Sequence, residues 1–269
     1  MIRLIMIGGL LTLSLVAGVI EDADMDGVVD SMDACPNTPF LHEVNAKGCT
    51  SNILTLPNQT ERDSMTLVLG YGYSTNEDIE GFETQHIQKL HLGYYHDSWS
   101  YALKVGYYEG EHEDGFQDTL LKIKKRFKPK SNLKLNLGIG VKLPSYDFKG
   151  NKTDFLVTSS LYYYPRPSLS FYTGFQYTFV RDDEMSTPLQ NSVSFYLGSG
   201  YFINKDFYMS FGFNHSTRKF KKEEASNALS STFYYKINAD YFCIFSYSRE
   251  ILDEDLHDGV NVKLGYTLW

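Results

Sequence analysis

Five aspartates recur at fixed offsets near the start of the chain: Asp22, Asp24, Asp26, Asp30 and Asp33, with Gly27 between the third and the fourth. Counted from Asp22, they fall at loop positions 1, 3, 5, 9 and 12, with the glycine at position 6. Ca2+ takes about six to eight oxygen ligands, and carboxylates at these offsets supply them around the sharp turn that a glycine permits. The backbone carbonyl of Val28, at position 7, completes the set. A solvated acidic linker is the plain alternative, but composition alone does not place five aspartates at these spacings around one glycine. Calcium is therefore the expected cofactor, held by Asp22, Asp24, Asp26, Val28, Asp30 and Asp33.

The stretch continues as Cys35-Pro36-Asn37-Thr38-Pro39 and then Val44-Asn45-Ala46-Lys47-Gly48-Cys49. With the aspartates before it, this segment of about 29 residues resembles a thrombospondin type 3 repeat. The resemblance implies calcium on the aspartates, a disulfide between Cys35 and Cys49, and an adhesive or spacer role. Such repeats usually come in tandem, whereas here there is one. Asp33 stands where an EF-hand carries a longer glutamate, which fits a rigid spacer rather than a sensor that opens. A short disulfide loop stiffens a segment too small for its own core, and an exported compartment permits it.

Residues 1–18 read as a secretory signal peptide: Arg3, an apolar run from Leu4 to Ala17, then small residues before Glu21 and Asp22. A retained single-span anchor is the alternative, and about seventeen apolar residues are short for one. No cysteine lies near the cleavage site to suggest a lipoprotein. The expected organisation is signal peptide 1–18, calcium-binding repeat 19–50, linker 51–61 and a β-domain over 62–269.

Behind these groups stands a chain of 269 residues with net charge −8 and 21 Tyr, 18 Phe and 2 Trp. The acidic balance disfavours a nucleic-acid partner. No interior stretch is apolar for the ~20 residues of a membrane helix, which excludes a helical transporter. From Arg62 onward the pattern has period two. Leu133, Leu135, Leu137, Ile139, Val141 and Leu143 alternate with Lys134, Asn136, Gly138, Gly140 and Lys142. Phe207, Met209, Phe211 and Phe213 alternate with Tyr208, Ser210, Gly212 and Asn214. Such alternation predicts strands with one apolar face.

Twelve strands are expected, near 62–74, 84–96, 98–109, 116–127, 131–144, 153–164, 167–180, 189–202, 206–217, 226–237, 240–249 and 258–269. Short turns alternate with long charged loops at 75–83, 110–115, 145–152, 181–188, 218–225 and 250–257. An even strand count with short turns at one end and long loops at the other describes an all-β, transmembrane antiparallel barrel of the outer-membrane type. Closure removes every strand edge and satisfies each backbone group in lipid. A soluble β-sandwich also alternates, but without strands this long or this regular change of loop length. Tyr71, Tyr73, Tyr94, Tyr107, Tyr163, Tyr201 and Tyr247 sit toward strand ends as interfacial girdles. The chain thus resembles a porin-like barrel in the bacterial outer membrane, with membrane lipid as partner and the calcium segment in the periplasm.

If the apolar parity faces lipid, the other parity lines the lumen. That places Lys89, Lys104, Lys122, Lys124, Arg126, Lys134, Lys142 and Lys263 inside, with no acid at a strand centre on the same face. Rows of inward cations favour anions. Long lysine stems that snorkel to the ends, or loop acids that fold in, are the plain alternative. The acids at 109–114, 182–184 and 253–255 lie in the long loops as solvated faces, suited to divalent cations between lipopolysaccharide phosphates. Cys243, alone in a strand, reads as a small apolar residue.

One rival carries chemistry. Phe213-Asn214-His215-Ser216-Thr217 resembles the His-x-Ser element of outer-membrane phospholipase A, also a twelve-stranded barrel. The resemblance implies His215 as base, Thr217 in place of the serine nucleophile and Asn227 orienting the imidazole. A histidine at an interfacial strand end is ordinarily a girdle residue. The expected function is a passive channel for small solutes, anions favoured, without catalysis. A structural or adhesive protein anchored by its barrel is second, and a lipid hydrolase third.

Overall fold

The structure is a computed structural model that describes residues 28, 30–35, 47, 49, 63–78, 81–111, 114–145, 150–183, 188–221, 225–251 and 256–268. The signal segment and Asp22, Asp24 and Asp26 lie outside the described residues. Packing divides the chain into two units, Met1–Leu56 and Pro57–Trp269. In the first, a disulfide joins Cys35 to Cys49, Cα atoms 5.1 Å apart. Ala34 N donates to Lys47 O at 2.9 Å beside it.

The second unit is all β. Its thirteen strands are β1 (Ser64–Asp78), β2 (Gly81–His96), β3 (Trp99–Gly110), β4 (Asp114–Phe116), β5 (Thr119–Lys130), β6 (Leu133–Leu143), β7 (Asp154–Arg166), β8 (Leu169–Phe179), β9 (Ser192–Phe202), β10 (Phe207–Ser216), β11 (Ser226–Lys236), β12 (Tyr241–Glu250) and β13 (Leu256–Thr267). Each of the long strands pairs antiparallel with its neighbours in sequence, and β1 pairs with β13 from Thr66↔Thr267 to Glu77↔Leu256. The sheet is therefore a closed barrel. The short β4 and β5 form one stave, since both pair with β3. Lys104 faces Leu120, yet Tyr107 faces Phe116, so the stave accommodates one extra residue at a bulge. Gln117 N bonds Gly106 O there at 2.8 Å. A Cβ on Gly106 would lie 2.5 Å from Gln117 Oε1, so the glycine gives the Gln117 side chain room in its present position. Twelve staves result.

Burial is inverted relative to a soluble sandwich. Leu69, Leu137, Ile139, Leu197, Phe211, Val262 and Leu264 are exposed on the outer face. On the opposite parity Ser160, Ser170, Thr178 and Ser210 are buried, while among the apolar side chains of the described residues only Val68 and Leu156 are. A wall that is apolar outside and polar within matches lipid as outer solvent.

One expectation is corrected. Residues 75–83 do not form a long loop: β1 and β2 stay paired through Thr75↔Thr84 out to Asp78↔Gly81. Ladder hydrogen bonds continue wherever both backbones run extended. They join backbone groups, so the polar residue types of this stretch do not end them. For the same reason β4 occupies part of 110–115 and β13 begins at Leu256.

The short turns have local causes. Asp97, in the turn between β2 and β3, has φ 50°, a left-handed conformation that aspartate tolerates better than most residues. In the turn after β9, Asn204 Oδ1 accepts from Asp206 N (2.9 Å) and Phe207 N (2.8 Å). Asn238 Oδ1 repeats this pattern with Asp240 N (2.9 Å) and Tyr241 N (2.8 Å). The shared motif, Ile-Asn-x-Asp-aromatic, is an Asx-turn that replaces missing ladder bonds.

Candidate functional site: the lumen wall

Strand register fixes which side chains meet inside the barrel. Gly70 on β1 lies opposite Lys89 on one side and Lys263 on the other. A Cβ at Gly70 would sit 3.2 Å from Lys263 Cγ and 3.7 Å from Lys89 Cβ, so the glycine gives both stems room. One step along, Lys104 faces His91 on β2 and Leu120 on β5, and Leu120 faces Lys142 on β6. Lys89, His91, Lys104, Asp118, Lys142 and Lys263 line a single cavity of about 460 Å3.

The other four cations of the same parity lie around it. Lys122 donates through Nζ to Gln176 Oε1 on β8 at 3.1 Å. Lys124 packs where β6 has Gly138, whose Cβ would lie 2.7 Å from Lys124 Cγ. Arg126 faces Asn136. Lys134 stands over the Tyr164 ring, 4.7 Å from its centroid.

Across the barrel the interior changes character. Tyr162, Tyr172, Tyr196 and Tyr208 alternate with serine and glycine on β7 to β10. The rings lie flat on neighbouring backbones: Tyr172 crosses Gly198, whose Cβ would meet its Cζ at 2.5 Å. Tyr196 covers Gly174 and Tyr208 covers Gly200 in the same way. The lumen is thus two-sided, with lysines on one wall and tyrosine and serine hydroxyls on the other.

The long-loop end carries a third arrangement. Asp182, whose side chain is fully buried, pairs with Lys219, and its Oδ1 accepts from Lys152 N at 2.7 Å. Lys152 also pairs with Asp183. Arg218 pairs with Glu250 at 3.0 Å, and Glu250 also accepts from the Ser226 hydroxyl. Gln190 N bonds Lys219 O (2.9 Å), and Leu189 bridges to Phe220. The segments after β6, β8 and β10 are therefore fastened to one another. Inward acids occur at strand ends, Asp154 and Glu250, rather than at strand centres. His91, Gln176 and this collar are the functional candidates that sequence reasoning missed. His91 shares parity with Lys89, so it was within reach of the pattern; Asp182 and Lys219 lie in loops, where no periodicity applies.

Outside the barrel, His215 Nδ1 shares a 2.8 Å hydrogen bond with Asn227 Oδ1 across β10 and β11. Thr217 is not brought to the imidazole. Its Oγ1 accepts from Val193 N (2.8 Å) and lies 3.4 Å from Val193 O. The hydroxyl is engaged by the backbone of β9. Girdle tyrosines reach acids or histidine: Tyr94 with Asp63 (3.0 Å), Tyr107 with Asp114, Tyr247 with Asp258 (3.0 Å) and Tyr71 with His86 Nδ1 (2.5 Å). Lys125 lies over Trp99 at 5.0 Å on the outer face. Cys243 is unbridged and half-buried.

Of the predicted calcium ligands, Val28, Asp30 and Asp33 are described. Asp33 Oδ1 accepts from Cys35 N at 2.8 Å, which fastens the end of the acidic loop to the disulfide.

No family model and no curated protein matches the sequence. Solved structures do share the fold. An outer-membrane channel from Pseudomonas putida F1 is 12 % identical, with TM-score 0.64 over 79 % of this chain and 99 % of that one. The NanC porin is 12 % identical, with TM-score 0.58 over 74 % of this chain and 98 % of its own. The KdgM porin, solved in complex with disordered oligogalacturonate, is 11 % identical, with TM-score 0.51 over 74 % and 98 %. The likeness is one of fold: a closed antiparallel barrel.

Proposed function

We propose that this protein is a passive outer-membrane channel for small anionic solutes. The observation that carries the reading is the lysine wall: six inward cations on adjoining strands, Lys89, Lys104, Lys122, Lys124, Lys142 and Lys263, inside a closed barrel whose outer face is apolar. Fixed cations in a confined lumen lower the barrier for anions and raise it for cations. Barrels of this fold include proteins described as porins and as an outer-membrane channel, and one of them was solved with an anionic oligosaccharide. Swelling of proteoliposomes tests the reading. Small carboxylates should enter faster than cations of equal size, and equal rates would refute the charge preference.

In this reading residues 1–18 direct export, and the repeat over 19–50 lies in the periplasm. Calcium on Asp22, Asp24, Asp26, Val28, Asp30 and Asp33, with the Cys35–Cys49 bridge, makes that segment a rigid spacer. A second reading, a structural or adhesive surface protein anchored by the barrel, is favoured by the loop collar of Asp182, Lys219, Arg218 and Glu250, which gives the long-loop end a fixed surface.

A further inference from the structure

The cavity on the lysine wall holds more positive charge than the protein neutralises. Lys89, Lys104, Lys142 and Lys263 all line it, and among the described residues none of the four forms an ion pair. One carboxylate, Asp118, lines the same cavity, and it accepts from Asn151 Nδ2 at 2.9 Å. His91 adds a ring nitrogen at the same wall. Four ammonium groups against one carboxylate leave an excess of three charges.

Their spacing is set by the sheet. Lys89 and Lys263 flank one strand, and Lys104 and Lys142 flank another. Adjacent strands lie about 4.8 Å apart, so each pair is anchored roughly 10 Å apart on the wall. Stems of this length can bring two ammonium groups onto one ligand from opposite sides. A monovalent anion neutralises one of them. A molecule carrying two or more oxyanions replaces several counter-ions at once, and their release favours binding. The size of the cavity suits a compact solute rather than a long chain. The facing wall of tyrosine and serine is uncharged and leaves the ligand held on one side.

From this arrangement we infer that the cavity is a saturable binding site for a compact multivalent anion, with two or more carboxylate or phosphate groups. The inference rests on the channel reading only for the route by which the anion arrives. Binding is tested on the refolded full-length protein in detergent at low salt, by calorimetric titration with citrate, pyrophosphate and acetate. Citrate, pyrophosphate or both should saturate one site while acetate does not, and the tighter of the two identifies the oxyanion. The double variants K89Q/K263Q and K104Q/K142Q should each weaken that binding by about tenfold or more. K125Q, on the outer face, should leave it unchanged. No saturable heat, or equal weakening by K125Q, would overturn the site. Bilayer recordings separate the two ideas. Chloride current without block by pyrophosphate or citrate would remove the site and keep the channel, whereas saturable binding without current would keep the site and remove the channel.

Discussion

Lys122 on β5 reaches over two intervening strands to hydrogen-bond Gln176 on β8, Nζ to Oε1, at 3.1 Å. In the register, Lys122 faces Gly140, and Gln176 faces Thr158, which itself faces Gly138. Those glycines leave β6 without inward side chains at 138 and 140, so the lysine stem has room to cross. The bond ties the lysine wall to the hydroxyl wall and engages one ammonium that would otherwise face solutes.

A charge placed at the far end of that bond should be felt by passing ions. Gln176→Glu gives Lys122 a carboxylate partner and removes its net charge from the lumen. The chloride-to-potassium permeability ratio should fall by about two- to threefold. Gln176→Ala frees the ammonium and should raise the ratio; single-channel recordings of both variants check the pair of outcomes.

The collar at the long-loop end depends on one buried carboxylate. Asp182→Asn removes the partner of Lys219 and leaves a half-buried cation unmatched, which costs about 3 kcal/mol locally when a buried pair is broken. Limited proteolysis should then cleave after Arg218, Lys219 or Lys221 far faster than in the parent, with the strands themselves still protected. Unchanged cleavage rates would mean that the ion pair does not hold the segments together.

At the opposite end, Asp63 precedes β1 and bonds His96 Nδ1 (2.6 Å) and Tyr94 (3.0 Å). The hydrogen bond with His96, then that from Tyr94, holds its carboxyl below the ordinary 3.8. A depressed carboxylate contributes stability that is present above the unfolded value and lost as pH falls through the folded one. The protection factor of amides at the start of β1, taken against intrinsic exchange at each pH, should therefore fall as pH drops below about 3.8, the ordinary value. Asp63→Asn should leave that protection factor unchanged over the same range.

The two matching turns offer a stability test. Asn204→Ala or Asn238→Ala removes the side-chain acceptor of two backbone N–H groups in each case. Each should lower resistance to urea in micelles by about 1 kcal/mol, and the two should add because the turns share no partner.

The proposed calcium site predicts protection from protease over 22–49 that chelation abolishes. Asp24→Asn with Asp26→Asn should abolish it as well, without altering the barrel.

Much of the barrel was legible because its signal has a two-residue period that survives in every stave. Leu133 to Leu143 alternates without a break, and the structure pairs that stretch on both sides. Loop boundaries were legible only where composition and hydrogen bonding agree. Asn76 and Glu83 are polar enough to suggest a loop, yet their backbones face each other in the ladder. The lysine parity could be read from the alternation, but the cavity could not. Which lysines share it depends on register across β13, β1, β2, β3, β5 and β6, which one strand's sequence does not encode. The repeated Ile-Asn-x-Asp-aromatic turn was visible in principle, since both copies end a strand and begin the next with the same residue types. Asp182 gave no signal, because its burial follows from three loops meeting.

Anion selection by the lysine wall is tested most directly by a reversal potential. The refolded barrel is placed in a planar bilayer between unequal KCl concentrations. The reversal potential should have the sign set by chloride and move toward zero or beyond in Lys89→Glu with Lys104→Glu. A potassium-selective sign, or a reversal potential that the two substitutions leave in place, would contradict it.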